Sequence, residues 1–442
     1  MSYTAKDIVH TLVAPALGCT EPVAVALGSA AAASLLPERP IDAIQVAVDP
    51  NVLKNGLGVT IPGTSGLKGL DWAAALGALI RRPDLNMELL NGLNQEILST
   101  AKALIESGGV SVKLLENTQG LTIHTTVQSG PDLAESRIEQ AHDRITELRL
   151  NAEPLQDHPL LQTHISSGTP HRDGLDLWLR DRTLAELVDL SREFDSQDLS
   201  FLKQGVAMNL TLAEYGLEHG SGLGIGKTLQ ELSQQGRLQK DMVLNAKIIT
   251  AAAADARMAG ADLPAMSSAG SGNNGLTAIL PIWSVHDALD CSETEILTAI
   301  GLSHLITAMV KTHTGKLAAV CSCSIAAGAG AAAGIASLLG GSLTAIGAAI
   351  NNLIADLGGT LCDGAKPGCA LKLATASGAA VQAALLGVQG VSISGQEGFQ
   401  GQTPEQTIRN LGIISRQGMQ ATDRTILDLM LQKTEQGRNH AG

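Results

Sequence analysis

A chain of 442 residues that is 44% hydrophobic can bury a sizeable core, but with 2% aromatics and 48 glycines that core must be Ala, Leu, Val and Ile packed closely at Gly. The formal charge of −13, from 30 basic and 43 acidic residues with no long basic run, excludes the clustered basic footprint of a nucleic-acid binder. The first residues lack the order of a signal peptide, and six cysteines in a chain this long read as metal-binding, catalytic or buried rather than as a disulfide framework; a cytoplasmic protein is expected.

Residues 1–40 read as helical, with Ile8, Leu12 and Ala16 at helical spacing and an Ala-rich run over 22–36. Ile44, Val46 and Val48 alternate as in a strand, and 57–61, 110–115 and 121–127 also read as strands. Helices are expected over 71–80, 87–106 and 133–148. Pro154, Pro159 and Pro170 make 152–175 an irregular connector. From about Leu184 the period is helical to the end, broken by glycines near 218–226, 268–275, 340–341, 358–368 and 395–401. The expected fold class is α+β: a mainly helical catalytic domain over 180–442, joined by the N-terminal helices 1–40, with a smaller inserted α+β domain over 41–165. Residues 317–355 carry no charge, long enough for a membrane span. Because 326–336 holds only Ala, Gly and one Ile, a buried helical hairpin turning at Gly340-Gly341 is expected instead, and no membrane partner.

The strongest chemical signal is the segment 361–369. Pro367 and Gly368 stop a helix, and Gly358, Gly359 and Gly364 loosen the chain, so Cys362 and Cys369 can turn toward one point. Upstream stands Cys321-Ser322-Cys323, and one of that pair completes three thiolates. A four-iron cluster on four cysteines is saturated, whereas one on three leaves an iron open as a Lewis acid. Buried free cysteines are the plain alternative, since the spacing is neither ferredoxin-like nor that of a zinc finger.

Near the N-terminus, Thr20 reads as a helix cap with Pro22 in the first turn, which sets Cys19 where the helix dipole favours a thiolate. Cys19 is then a base or a displaceable ligand. Glu21 is a base, a binder of the substrate ammonium, or simple dipole compensation. The glycine-rich stretch 267–275 enters an apolar run and offers backbone N–H groups to an anion such as a carboxylate. Thr20, Ser268, Ser271, Gly272, Asn273 and Asn274 are the candidate substrate-binding residues. Gly270-x-Gly272-x-x-Gly275 matches the dinucleotide fingerprint formally but lacks its βαβ setting. Lys311, His313 and Lys316 bring cations near Cys321, as ligands of a carboxylate or as a solvated helix end.

Four segments, in order, resemble the L-cysteine desulfidase family, which is related to the α-chain of iron–sulfur L-serine dehydratases: 18–22, 268–275, the stretch around Cys321 with Leu339-Gly340-Gly341, and 364–372. The resemblance implies a [4Fe-4S] cluster on Cys362, Cys369 and Cys321, with Cys323 the alternative third ligand, and no pyridoxal phosphate. It implies elimination of hydrogen sulfide from L-cysteine to give pyruvate and ammonia. The candidate catalytic groups are Cys19, Glu21 and Lys316. L-Serine dehydration is the nearest rival and a non-catalytic iron–sulfur sensor a rival of another class. The expected partners are a small amino-acid substrate and a second copy in a homodimer.

Overall fold

The computed structural model describes residues 2–161 except 65, 92, 117 and 119, then 172–315 and 318–440. In chain order the first part runs α1 (Ala5–Leu12), β1 (Pro15–Leu17), α2 (Thr20–Ser34), β2 (Ala43–Val48), α3 (Pro50–Gly56), α4 (Leu70–Ile80), α5 (Gln95–Glu106), β3 (Val110–Leu114), β4 (Thr122–Ser129), β5 (Asp132–Glu139), β6 (Ile145–Leu150) and β7 (Glu153–Pro154). The second runs α6 (Arg172–Arg180), α7 (Leu184–Ser191), α8 (Ser196–His219), α9 (Ile225–Gln234), α10 (Met242–Met258), β8 (Pro264–Met266), α11 (Gly272–Ser284), α12 (Glu293–Thr314), α13 (Ser322–Leu338), α14 (Leu343–Leu357), α15 (Cys369–Val388), α16 (Pro404–Ile413) and α17 (Gln420–His440). The α+β, mainly helical class expected from the sequence is the one observed.

The sheet has the order β3-β2-β4-β5-β6-β7, with β2 and β3 parallel and the other pairs antiparallel. Alternate residues turn inward: Ile44, Val46 and Val48, then Ile123 and Val127, then Ala134 and Ile138, against the alanines of α2 and α4. Of the two N-terminal helices, α1 packs into the helical body and α2 into the core beneath the sheet.

Three local expectations are corrected. Residues 133–148 are the hairpin β5–β6 rather than a helix: β5 pairs with strands on both sides, and Gln140 takes a left-handed φ of 69° that breaks a helix at the turn. Ala134, Ser136 and Ile138 alternate inward with the period of a strand, and sheet pairing decides. Residues 57–61 form a single bridge, Thr60 to Lys68, instead of a strand. The helix expected from 87 starts only at Gln95, where the Asn94 side chain accepts from the amide of Ile97. In the connector, residues 162–171 lie outside the described residues.

In the helical body α13 is central. Ser324 to Ala336 are all buried, and its Ala/Gly surface lets α11, α12, α14 and α15 approach closely. The uncharged stretch is the hairpin α13–α14, turning at Gly340-Gly341 as expected. Among the described residues one helix, α15, is long and apolar enough to cross a membrane, and 61% of that window is buried inside the fold.

Two short pairings join segments that lie far apart in the sequence. β1 pairs antiparallel with β8, extended by the amides of Ser267 and Ala269 donating to Ala14 and Leu12 carbonyls, each at 2.8 Å. The bridge Val320 to Leu361 is flanked by Cys321 N donating to Thr360 O at 2.8 Å and Cys362 N to Ala319 O at 2.6 Å. The loop after β8 is pinned to α12 by Ser268 Oγ, 2.8 Å from Nδ1 of buried His304.

Burial lowers the pKa of His304 to about 3. An unfolded histidine binds a proton below about pH 6.5, so between those values the unfolded chain carries the extra proton and stability falls as pH falls, by about 1.4 kcal/mol per pH unit for this group. Urea unfolding compared at pH 7 and pH 5 is expected to lose about 2 kcal/mol less in His304→Gln than in the wild type. An equal loss in both would sink the assignment.

Candidate functional site

The two pairings bring four sequence-distant segments to the wall of one cavity of about 830 Å³ between the sheet unit and the helical body. Cys19, Thr20 and Glu21 line it from α2. Ser271, Asn273 and Asn274 line it from α11, Cys321, Ser322 and Cys323 from α13, and Cys362 and Cys369 from the loop entering α15. Of the remaining candidates, Ser268 is fully buried off the cavity and serves the loop through His304. Gly272 is not among the lining residues, and Lys316 lies outside the described residues.

The four helices have one feature in common. None of α2, α11, α13 and α15 carries a side-chain hydrogen bond capping its N-terminus. Among the described residues, nine others are capped by Thr, Asp, Asn or Ser. The first N–H groups of a helix lack intrahelical partners and carry the positive end of its dipole. Four such ends at one cavity create a site for negative charge.

The cap at α2 differs from expectation. Cys19, not Thr20, is the N-cap, and Thr20 is the first helical residue. The thiol of Cys19 donates to Glu21 Oε2 at 3.1 Å, and Thr20 Oγ1 donates to the same oxygen at 3.2 Å. Burial, then the charge of Glu21, pushes the Cys19 pKa well up, outweighing the opposing pull of Arg257. Cys19 is therefore a thiol here, not the thiolate that the dipole alone favours. Burial also works to raise Glu21, but His142 and the Cys19 thiol outweigh it and leave the carboxyl below its ordinary value. His142 Nε2 stands 4.0 Å from Glu21 Oε1, delivered by the β5–β6 turn.

The cysteine wall is held by its own backbone. Gly364 has φ 85°, and a Cβ there would lie 2.3 Å from the carbonyl oxygen of Lys54, so only glycine lets the 362–369 loop press against α3. Cys321 and Cys323 differ electrically. Hydrogen bonding from the free Cys323 thiol, helped by Ser324 Oγ donating to Cys321 Sγ at 3.3 Å, lowers Cys321 to about 6 against the effect of burial. Cys323, as the donor and by burial, is raised. Burial raises Cys362 and lifts Cys369 to about 11; Lys372 works against it at both, as Lys54 does at Cys362, and Lys372 also helps to lower Cys321. Cys291 lies away from the cavity.

Among the described residues no three His, Cys, Asp or Glu side chains converge as a site for a single metal ion. The donor set instead fits an iron–sulfur cluster: soft thiols around a roomy cavity, with lysines to offset negative charge. Five charged residues that spacing did not reveal also line the cavity: Lys54, Arg257, Lys372, Arg416 and Asp423. Lys54 is 2% exposed and paired with Asp423 of α17, while Lys372 holds Asp363 at 2.5 Å. The one sequence signal for Arg257 is a charge inside the alanine run of α10.

The sequence model of the serine dehydratase alpha chain matches residues 89–428. A UPF0597 protein of Desulfatibacillum aliphaticivorans is 53% identical, covering 98% of this chain and 99% of its own. One from Desulfotalea psychrophila is 52% identical over 99% and 100%, and one from Geobacter sulfurreducens 43% over 97% and 98%. The chain belongs to the serine dehydratase alpha chain family. The match contains Arg257, the α11 loop and all the cysteines of the wall; Cys19 and Glu21 precede it and lie within the stretch shared with the full-length relatives. The family is one of lyases related to iron–sulfur serine dehydratases.

If Cys321 is the third ligand and Cys323 its hydrogen-bond donor, protein reconstituted without oxygen will lose most of its iron and its broad visible absorption in Cys321→Ser, Cys362→Ser and Cys369→Ser, and keep them in Cys323→Ser and Cys291→Ser. Iron retained in Cys321→Ser but lost in Cys323→Ser would reverse the assignment.

Proposed function

We propose that the chain is an iron–sulfur-dependent lyase that eliminates hydrogen sulfide from L-cysteine to give pyruvate and ammonia, an L-cysteine desulfidase. The observation that carries this reading is the cysteine wall facing the Cys19–Glu21 pair across one cavity. Cys321, Cys362 and Cys369 would hold a [4Fe-4S] cluster, which when bound supplies an open iron as Lewis acid toward the departing sulfur.

The chain's own residues move the proton. Glu21, held ionised, takes the thiol proton of Cys19 as the Cys19 sulfur takes the proton from the substrate's Cα. The electron pair of that C–H bond forms the Cα–Cβ double bond as the Cβ–S bond breaks, and sulfide leaves with the sulfur's electrons. The resulting enamine tautomerises and is hydrolysed to pyruvate and ammonia. His142 beside Glu21 stabilises the anionic carboxylate before transfer. No step calls for pyridoxal phosphate. The six cysteines are all unpaired, which suits a reducing, cytoplasmic setting. Lys316 is kept as a candidate cation near Cys321 by sequence position alone.

The family's name favours a second reading, dehydration of L-serine by the same residues acting on a hydroxyl. Turnover of both amino acids by one anaerobic preparation decides between them: sulfide and pyruvate released in equal amounts, with a larger kcat/KM for L-cysteine, is the expected result. Glu21→Gln is expected to lower kcat by about 100-fold or more at unchanged iron content. Full activity in an iron-free preparation would sink the cluster, and no turnover of either amino acid would sink the lyase.

A further inference from the structure

Arg257 presents an electrostatic problem that the proton chemistry does not use. It is 4% exposed, on α10. Its Nη1 donates to Asn273 Oδ1 at 2.8 Å and its Nη2 to the carbonyl of Gly18, both neutral acceptors. Its buried Nε has no hydrogen-bond partner, and no carboxylate among the described residues pairs with it. A buried guanidinium without a counter-ion is costly.

The surroundings add to the cost. A Cβ on Gly272 would lie 2.4 Å from Nε and 2.6 Å from Cζ, so the guanidinium lies flat against the first residue of α11. That N-terminus is itself uncapped and positive. Two positive groups share one corner of a cavity that both reach. In the same corner Asn274 is fully buried, lines the cavity, and has neither its Oδ1 nor its Nδ2 hydrogen-bonded. A cation, free amides and an idle amide donor together describe the complement of a planar anion with two oxygens.

We propose that Arg257, the opening amides of α11 and the Asn274 side chain form the pocket for the α-carboxylate of a free amino-acid substrate. This rests on the lyase reading and narrows it. The substrate must carry an unblocked carboxylate, so cysteinyl esters, amides and peptides in which cysteine is not the C-terminal residue are excluded. The corner also sets the orientation. Cys19 feels the charge of Arg257 and follows Gly18, whose carbonyl the guanidinium holds, so a carboxylate bound there places Cα next to the sulfur that takes its proton. Arg257 positions the substrate; it moves no proton.

The test reads binding apart from turnover. Reconstituted full-length protein is titrated calorimetrically with L-alanine, which has the carboxylate but no leaving group, and with L-alanine methyl ester. The wild type is expected to prefer L-alanine. In Arg257→Gln, L-alanine should bind at least about 30-fold more weakly and the preference over the ester should collapse. Arg257→Lys, which keeps the charge without the planar fork, should fall between. Absence of L-alanine binding by the wild type, or an unchanged preference in Arg257→Gln, overturns the pocket. Where Arg257→Gln does not fold, Asn274→Ala carries the test, and unchanged L-alanine affinity there overturns it equally. Arg257-dependent binding in a protein that turns over neither L-cysteine nor L-serine keeps the pocket and sinks the lyase reading.

Discussion

Four uncapped helix N-termini meeting at one cavity are the constraint on which the rest of the molecule depends. An uncapped end leaves backbone N–H groups to be satisfied by something outside the helix. Among the described residues nine other helices are capped by side chains, while α4 and α9, which follow Gly69 and Gly224, share the omission seen at α2, α11, α13 and α15. Where a Ser or Asp cap would stand, the chain places Cys19 and Cys321, or begins the helix on Cys369. Capping strength is given up at positions where thiols are needed, and the positive ends then help to hold whatever anions occupy the site.

This arrangement requires close packing behind it. Helices whose ends must meet cannot be kept apart by bulky side chains, which accounts for the alanine and glycine of α2, α10, α13 and α15. Two pieces of non-helical backbone do the final joining. β1–β8 ties the Cys19 segment to the α11 loop, and the Val320–Leu361 bridge ties the two cysteine segments. Both are too short to be seen as strands from periodicity, since three residues or one do not make a pattern.

Legibility in the sequence followed that division. The segments with punctuation were readable: Pro367-Gly368 before Cys369, the glycines of 267–275, and the Cys19-Thr20-Glu21-Pro22 start. The fold class and the hairpin at Gly340-Gly341 were readable for the same reason, because composition and period extend over many residues. What was hidden depended on tertiary pairing. Reading 133–148 as a helix concealed the turn that brings His142 to Glu21. The dipole argument made Cys19 a thiolate, whereas burial, and then Glu21 two residues on, keeps the proton on sulfur. Arg257 and Lys54 look like ordinary helical charges, and only burial, to 4% and 2% exposure, sets them apart.

The two buried cations are not equivalent, and the difference assigns the charges of the site. Lys54 has its counter-ion in Asp423, supplied by α17 from the far end of the chain, so its charge is already spoken for when the cavity is empty. Lys372 and Lys366 are likewise bound to Asp363. Glu21 is held by a thiol, a hydroxyl and His142 rather than by a guanidinium. Arg257 therefore remains as a buried cation facing neutral acceptors and a helix N-terminus. The carboxylate nearest to it in sequence, Asp255, stands two residues back on the other side of α10 and accepts from the amides of Leu223 and Gly226. Pairing Arg257 internally would have lowered the cost of burial and closed the corner to any ligand. Leaving it unpaired makes the incoming anion the missing half of the interaction, so the same contact that stabilises the bound state also fixes where Cα lies relative to Cys19.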